Sequence, residues 1–333
     1  MKKISSMKRI LVASILLIGI LIAGSCDKVT NPYPKTTSTA LDWSLYPGGD
    51  SAAYVSAGLW PAFTDNANTL RNVLIEDFTG HKCVNCPAST ANMEQLIATN
   101  PIRIFGVAIH SSANGLDDFQ EVDAEFPEEL FCDEGLEIGT FFGSIPGSSF
   151  IGNPRFCVNR VLANDQFTSS AGSPIANKTS NCLSSTLKVN IQAASNYFAS
   201  TRGLFLHTEV DKLDQTLAND LGIVVYVIED SLIGPQIVDV DDDTDGTPGN
   251  PDLSVKDGIL QTYIHREIMR GCIDGRAFGR TLTADYLGGN GKYYVNYSYK
   301  IPDELEPENM HLVIYVYDKT TMEIYQVIKH EIE

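Results

Sequence analysis

Val73-Leu74-Ile75-Glu76-Asp77-Phe78-Thr79-Gly80-His81-Lys82-Cys83-Val84-Asn85-Cys86-Pro87 is the stretch on which the reading of the fold turns. Val73 to Phe78 is a short apolar run with the composition of a buried strand, Thr79-Gly80-His81 is a turn, and Cys83 to Pro87 opens a helix. Pro87 fits a first helical turn, where its missing N–H would have no partner. Ala88 to Asn100 continues the helix, with Met93, Leu96 and Ile97 on one face, and Ile102 to His110 supplies a second buried strand. Strand, helix and strand in this order make a βαβ unit, whose parallel sheet needs helices over its faces.

Two residues between cysteines on a first helical turn bring both sulfurs within disulfide reach. On this reading Cys83 is the exposed nucleophile, because unpaired N–H groups at a helix N-terminus favour thiolate over thiol. Cys86 lies deeper and resolves the mixed disulfide. A Cys-x-x-Cys beside a βαβ pattern is the thioredoxin-like redox arrangement. Three other uses compete for the same residues. A purely structural disulfide suits an exported protein. His81, Cys83 and Cys86 offer zinc three donors, but no second Cys-x-x-Cys completes a structural site. Haem attachment needs a His where Pro87 stands.

Ahead of this unit, Lys2, Lys3, Lys8 and Arg9 form a basic segment, and Ile10 to Ile22 form an apolar core too short to span a bilayer comfortably. Ala23-Gly24-Ser25-Cys26 ends it with small residues before a cysteine, although Ala23 stands where a Leu is more usual. The pattern predicts a lipoprotein signal over residues 1–25 and lipidation of Cys26. An ordinary secretory signal with an incidental cysteine is the alternative. Residues 26–69 contain Asn31-Pro32-Tyr33-Pro34, a Thr/Ser cluster and Pro47-Gly48-Gly49, and they read as a lipid-anchored tether and lead-in.

A net charge of -18 makes nucleic acid a poor partner, and 43% hydrophobic residues are enough for a substantial core. Once Cys26 is set aside, the other six of seven cysteines are an even number in an oxidising compartment. With Cys83 and Cys86 paired locally, Cys132, Cys157, Cys182 and Cys272 allow more than one connectivity, and the sequence does not choose among them.

The stretch from Val73 to Pro87 resembles the opening of the Omp28-related lipoproteins, a Gram-negative outer membrane family with a thioredoxin-like domain and a β-rich C-terminal domain. Gly152-Asn153-Pro154-Arg155-Phe156-Cys157-Val158-Asn159-Arg160 resembles the family's proline-initiated strand before its Val-Asn-Arg. In thioredoxin-like folds a cis-proline faces the Cys-x-x-Cys, so the resemblance implies that role for Pro154, shaping a substrate groove. A trans-proline at a strand start is the other reading. Lys82 departs from the aromatic residue usual before the first cysteine. Val225 to Asp230 and Tyr263 to Glu267 also look like the family's C-terminal domain.

Between His110 and Gly152, Asp117 to Leu130 is acidic with spaced Phe119, Val122, Phe126 and Leu130, which predicts a helical insertion stapled near Cys132. After Ser185 the period changes to two: Leu187, Val189, Ile191 and Ala193 alternate with polar residues, as do Val295, Tyr297, Tyr299 and Ile301. Gly203 to Val210, Gly222 to Glu229, His311 to Tyr317 and Glu323 to Ile332 continue a series that reads as a β-sandwich. Asp241, Asp243, Asp245 and Gly246, with Asp252 at the terminal position, fit the start of a calcium loop. No helix flanks it and Pro248 and Pro251 interrupt it, so a solvated acidic loop is the stronger reading. His207, His265 and His311 form no constellation and read as structural. No phosphate loop and no Gly-x-Ser-x-Gly elbow is present.

The expected architecture is therefore α/β plus β: a thioredoxin-like domain with a helical insertion over residues 70–185, then an antiparallel β-sandwich over residues 186–333. The expected function is thiol–disulfide exchange on envelope proteins by an outer-membrane lipoprotein, with Cys83 attacking, Cys86 resolving and Pro154 shaping the groove. No cofactor is required on this reading, and calcium in the C-terminal domain is the one ion the sequence suggests. The membrane is met through the lipid on Cys26. The alternative is a binding lipoprotein, adhesin-like or part of an assembly, whose Cys-x-x-Cys fastens a loop.

Overall fold

Every residue of β1 (Val73–Thr79) is buried, as in a strand covered on both faces. The computed structural model describes residues 39–161, 168–170, 175–217, 220–239, 255–256 and 258–332 of the chain. The described helices are α1 (Ser51–Ser56), α2 (Cys86–Thr99), α3 (Asp133–Ser144) and α4 (Ile175–Leu183). The strands continue with β2 (Ile104–His110), β3 (Arg155–Val158), β4 (Thr168–Ser170), β5 (Val189–Phe198), β6 (Gly203–Lys212), β7 (Leu221–Glu229) and β8 (Leu232–Ile237). The last are β9 (Val255–Lys256), β10 (Ile259–His265), β11 (Ile268–Cys272), β12 (Arg280–Thr281), β13 (Tyr293–Lys300), β14 (Met310–Asp318) and β15 (Ile324–Glu331).

β1 and β2 pair in parallel from Val73↔Ile104 to Thr79↔His110, joined by α2, as the βαβ reading requires. Around them runs a nine-stranded sheet in the order β15-β14-β7-β11-β2-β1-β3-β4, with β12 on β7. Two three-stranded sheets, β13-β6-β5 and β8-β10-β9, lie outside it. The class is mixed α/β with antiparallel sheets. Strands on both sides of residue 185 share the large sheet, so no break between sheets falls at the expected domain boundary. The sandwich packing is present, since β5, β6 and β13 bury Val189, Leu204, Leu206 and Val295 against Val225, Ile314 and Val316. One of its two sheets, however, also contains β1 and β2.

Period-two geometry explains how one strand serves two cores. Along β7, Val224, Tyr226 and Ile228 face the core shared with β1, β2 and α3, while Ile223, Val225 and Val227 face the sandwich core. β14 divides in the same way, with Val313, Tyr315 and Tyr317 on one side and Leu312, Ile314 and Val316 on the other. An unbroken apolar run is what a strand covered on both faces demands.

One expectation is corrected. Asp117 to Leu130 is irregular, not helical. Pro127 interrupts it, and Asp123 turns its carboxylate onto the Glu125 and Phe126 N–H groups, a local bond that competes with helix. Phe126 and Leu130 are nevertheless buried, so the segment packs as a loop. The helix of this region is α3, which lies one turn further on and is disguised by Gly135, Gly139 and Gly143. These glycines let α3 approach Ser111 to Ala113 closely: a methyl on Gly139 would overlap Ser111 Oγ and lie 2.5 Å from the Ser112 carbonyl oxygen. Gly139→Ala is therefore expected to lower stability by about 1–2 kcal/mol, because overpacking exceeds the gain in helix propensity. A rise in the urea midpoint of that variant would contradict the close approach.

Within the expected tether and lead-in of residues 26–69, the described residues from 39 onward pack on the fold. Asp42 caps a 3-10 turn at Trp43–Leu45, and Asp50 caps α1 through a 2.8 Å bond from the Ala53 N–H. Tyr54 on α1 is fully buried, its ring 5.2 Å from that of Phe205 and its hydroxyl 2.9 Å from His207 Nε2. This lead-in thus covers the face of β6 that points away from the sandwich core.

Candidate functional site

β1 runs directly into the cysteine segment. Gly80 is needed in the turn, since a Cβ there would lie 2.5 Å from the Phe119 carbonyl oxygen. Cys83 follows in the turn, and α2 begins at Cys86 with Pro87 in its first turn. Cys83 and Cys86 form a disulfide with an S–S distance of 2.12 Å. The expected exposure of Cys83 is corrected: both cysteines are only 1% exposed. Their cover comes from two places. The irregular segment lies along one side, where Lys82 N–H donates to Phe119 O at 3.1 Å and Lys82 Nζ meets Asp123 at 2.8 Å. β8 lies along the other, where Ile237 N–H donates to His81 O at 2.8 Å and Gln236 Nε2 donates to Cys83 O at 3.2 Å.

Pro154 follows a cis peptide bond from Asn153. It immediately precedes β3, whose Arg155 stands opposite Phe78 of β1, so the proline lies at the strand end from which the cysteine turn departs. Asn153 fixes this corner by donating to Ser111 O at 2.9 Å and accepting from Ser112 Oγ at 2.6 Å.

Glu76 and Asp77 are consecutive on β1, so they project to opposite faces, and both are fully buried. Glu76 has a guanidinium partner: Arg160 Nε and Nη2 reach its two oxygens at 2.9 and 2.7 Å. Among the described residues Asp77 has only the Thr90 hydroxyl of α2, at 2.9 Å on one oxygen, and no hydrogen-bond partner on the other. Burial without a cation pushes the Asp77 carboxyl up to about 7, against the pull of the Thr90 bond and with the charge of Glu94 adding to the rise. Thr90 also lines a cavity of about 10 Å³, together with Thr79, Cys86, His110, Gln236 and His265. That volume is close to the minimum that holds one water molecule.

The two histidines of this cavity were not singled out from the sequence as site residues. Their rings are 6.0 Å apart, and His110 Nδ1 and His265 Nε2 are buried without hydrogen-bond partners among the described residues. Desolvation lowers both below the ordinary histidine range, His265 to about 3; His265 and His81 add to the fall at His110, and His81 adds to it at His265 against a backbone bond to Pro235. Both rings are therefore neutral near pH 7. His207 bonds Tyr54 and Asn296, and His311 Nε2 lies 2.9 Å from Glu267, in keeping with structural roles. Cys132, Cys157, Cys182 and Cys272 are thiols in this structure. Desolvation raises all four, Cys132 to about 12, which makes them poor nucleophiles. The expected lipidation site Cys26 and the acidic residues Asp241, Asp243, Asp245 and Asp252 lie outside the described residues.

A signal for Asp77 was present in the sequence, because two adjacent carboxylates in an otherwise apolar strand must both be buried if the strand is covered on both faces. Gln236 and His265 carried no such signal, since they reach the cysteines only through tertiary packing.

A family model described as Outer membrane protein Omp28 matches residues 149–333. Among solved structures the chain is similar to HBP35 of Porphyromonas gingivalis, with a TM-score of 0.56 and 16% identity over 80% of this chain and 77% of that one. At that identity the likeness is one of fold. It is also similar to a domain of the outer membrane lipoprotein Omp28 from Porphyromonas gingivalis, with a TM-score of 0.26 and 19% identity over 44% of this chain and 88% of that one. No curated protein sequence matches significantly. The family match spans more than half of the chain, and it takes in the cis-proline strand, the Val-Asn-Arg segment and the strands that complete the large sheet: the chain belongs to the Omp28 family.

Proposed function

We propose that this chain is an outer-membrane lipoprotein that carries out thiol–disulfide exchange with other envelope proteins, using a thioredoxin-like module made of β1, α2, β2 and β3. The observation that carries the reading is the Cys83–Cys86 disulfide at the start of α2, whose Cys86 lines a small cavity with Thr90, the residue whose hydroxyl bonds the buried Asp77. In the reducing direction, the Cys83 thiolate attacks a partner disulfide, forming a mixed disulfide and releasing one partner thiolate. Cys86 then gives up its proton and attacks Cys83 Sγ, which breaks the mixed disulfide and releases the second partner thiolate. Two electrons pass to the partner and the Cys83–Cys86 bond re-forms. Asp77, with its carboxyl near 7, takes the Cys86 proton through Thr90 or a water in the cavity. The opposite direction is the same sequence reversed.

Burial of both cysteines favours a second reading, a binding lipoprotein in which this disulfide fastens the turn. The reduction potential separates the two. Glutathione titration of the protein from residue 27 onward, with mass-spectrometric trapping, is expected to give about -120 to -270 mV, the range of exchange catalysts. A value below about -300 mV would mark a structural staple and sink the exchange reading.

A further inference from the structure

We propose that β8 and β10 form a flap that lies over Cys83–Cys86 where an extended cysteine-bearing segment of a partner protein docks, and that the flap must lift for exchange to occur. This rests on the exchange reading for its purpose, but the flap itself is a property of the fold.

The chain path is the first argument. β7 and β11 are neighbours in the large sheet, paired at Glu229↔Ile268. Between them the chain leaves the sheet, builds the separate sheet β8-β10-β9, and returns. Both crossing points are residues with left-handed backbone, Ser231 (φ 64) and Glu267 (φ 52). Such conformations are uncommon outside glycine, and here they turn the chain sharply out of the sheet and back into it. The flap thus has two defined hinge points at one end.

The second argument is what holds it shut. At its base, Glu267 N–H donates to Asp230 at 3.1 Å, and Arg266 lies 3.5 Å from Asp230 and 3.7 Å from Glu94 of α2. These ion pairs are partly exposed and long, so they contribute little. Among the described residues, its own apolar cluster is Val238, Leu260 and Tyr263. The closed interface leaves the buried His110 Nδ1 and His265 Nε2 without hydrogen-bond partners among the described residues, which opposes closure. Against this stand a main-chain bond from Ile237 N–H to His81 O and the Gln236 side-chain bonds to Cys83 O and Gly80 O. The large sheet, by contrast, buries apolar residues on both faces of β7.

The third argument identifies the occupant. The bond from Ile237 to His81 joins one extended backbone to the turn that carries Cys83. An incoming extended segment can supply the same donor, as in strand addition at an open edge. The flap therefore stands in for the partner's backbone, and a partner that cannot displace it does not reach the sulfurs.

The test uses the full mature chain with Gln236→Ala and Arg266→Gln as separate variants, both at positions that leave the cysteines and Asp77 in place. Reduction of Cys83–Cys86 by a phosphine and by a thioredoxin is followed by trapping. Gln236→Ala is expected to react about tenfold faster than wild type with the protein reductant, the effect of losing about one net hydrogen bond from the closed state, whereas Arg266→Gln, which loses only weak ion pairs, is expected to react less than about threefold faster. A Gln236→Ala rate equal to wild type would overturn the proposal. Hydrogen exchange in the wild type gives a readout that needs no variant. The Ile237 amide is expected to exchange well before the β7 amides, through an opening insensitive to low urea. Exchange of Ile237 only together with β7 would equally overturn it. The potential described above decides the exchange reading, and these rates decide the flap.

Discussion

Arg160→Met is expected to destabilise the protein by about 3–5 kcal/mol, a large part of the 5–15 kcal/mol typical of a folded domain. Arg160 and Glu76 are both fully buried, and the guanidinium also bonds the Tyr226 and Tyr315 hydroxyls at 2.8 and 2.9 Å. The Tyr226 hydroxyl closes the ring by donating to Glu76 at 2.9 Å. Phe142 and Tyr315 present their rings to the guanidinium at 5.3 and 5.2 Å, so the charge is enclosed by groups able to stabilise it. Methionine fills much of the volume but leaves the Glu76 carboxylate without its cation in the centre of the large sheet. The double variant Glu76→Leu with Arg160→Met removes both charges and is expected to recover most of the loss, because a buried pair replaced as a whole is often nearly neutral. Urea unfolding at pH 7, followed by circular dichroism, measures all three. A single-variant cost under about 1 kcal/mol would mean that water or another group compensates Glu76.

The βαβ unit was legible because its signals are local: an apolar run, a turn, a Cys-x-x-Cys-Pro helix start and a second apolar run. The sandwich strands were legible through period two. Arg160 entered only through a resemblance, in the Val158-Asn159-Arg160 segment. The structure gives the physical reason for that segment: Asn159 and Arg160 have φ of 43° and 51°, and Asn159 Oδ1 accepts from Leu74 N–H at 2.8 Å. This turn swings the arginine into the core. β8 contains Gly234 and Pro235, and α3 contains three glycines, residue types that mask the strand and helix patterns in the sequence. The burial of Cys83 could not be read from its neighbours in sequence, since Gln236 lies more than a hundred residues downstream. Local chemistry was therefore visible, and long-range cover was not.

Asp77→Asn is expected to stabilise the protein at pH 8 while slowing the resolving step, and the two effects have one cause. The Asp77 carboxyl is pushed from 3.8 to about 7 chiefly by burial. In the unfolded chain it loses its proton near pH 4, whereas in the folded chain it keeps it until about pH 7. Between these values the folded state binds the extra proton, so stability falls as pH rises from about 4 to about 7 and is level above that. At about 1.4 kcal/mol per pH unit, the full penalty is on the order of 4 kcal/mol. Asparagine carries no charge to bury, and it can still accept from Thr90 Oγ1. Its amide needs partners that the site does not offer, which costs about 1–2 kcal/mol. A net gain of roughly 2 kcal/mol at pH 8 is therefore expected, with none at pH 4. On the proposed exchange mechanism the same substitution removes the group that takes the Cys86 proton, so insulin reduction at pH 7 is expected to fall by about 10²-fold, the lower range for loss of a general base. Its pH dependence around 7 should disappear with it. Urea midpoints across pH 4 to 8 and reduction rates over the same range test both halves. A wild-type stability that does not fall between pH 4 and 7 would show that Asp77 is ionised at neutral pH, with a cation or water satisfying its second oxygen, and the proton transfer assigned to it would then have to be given up.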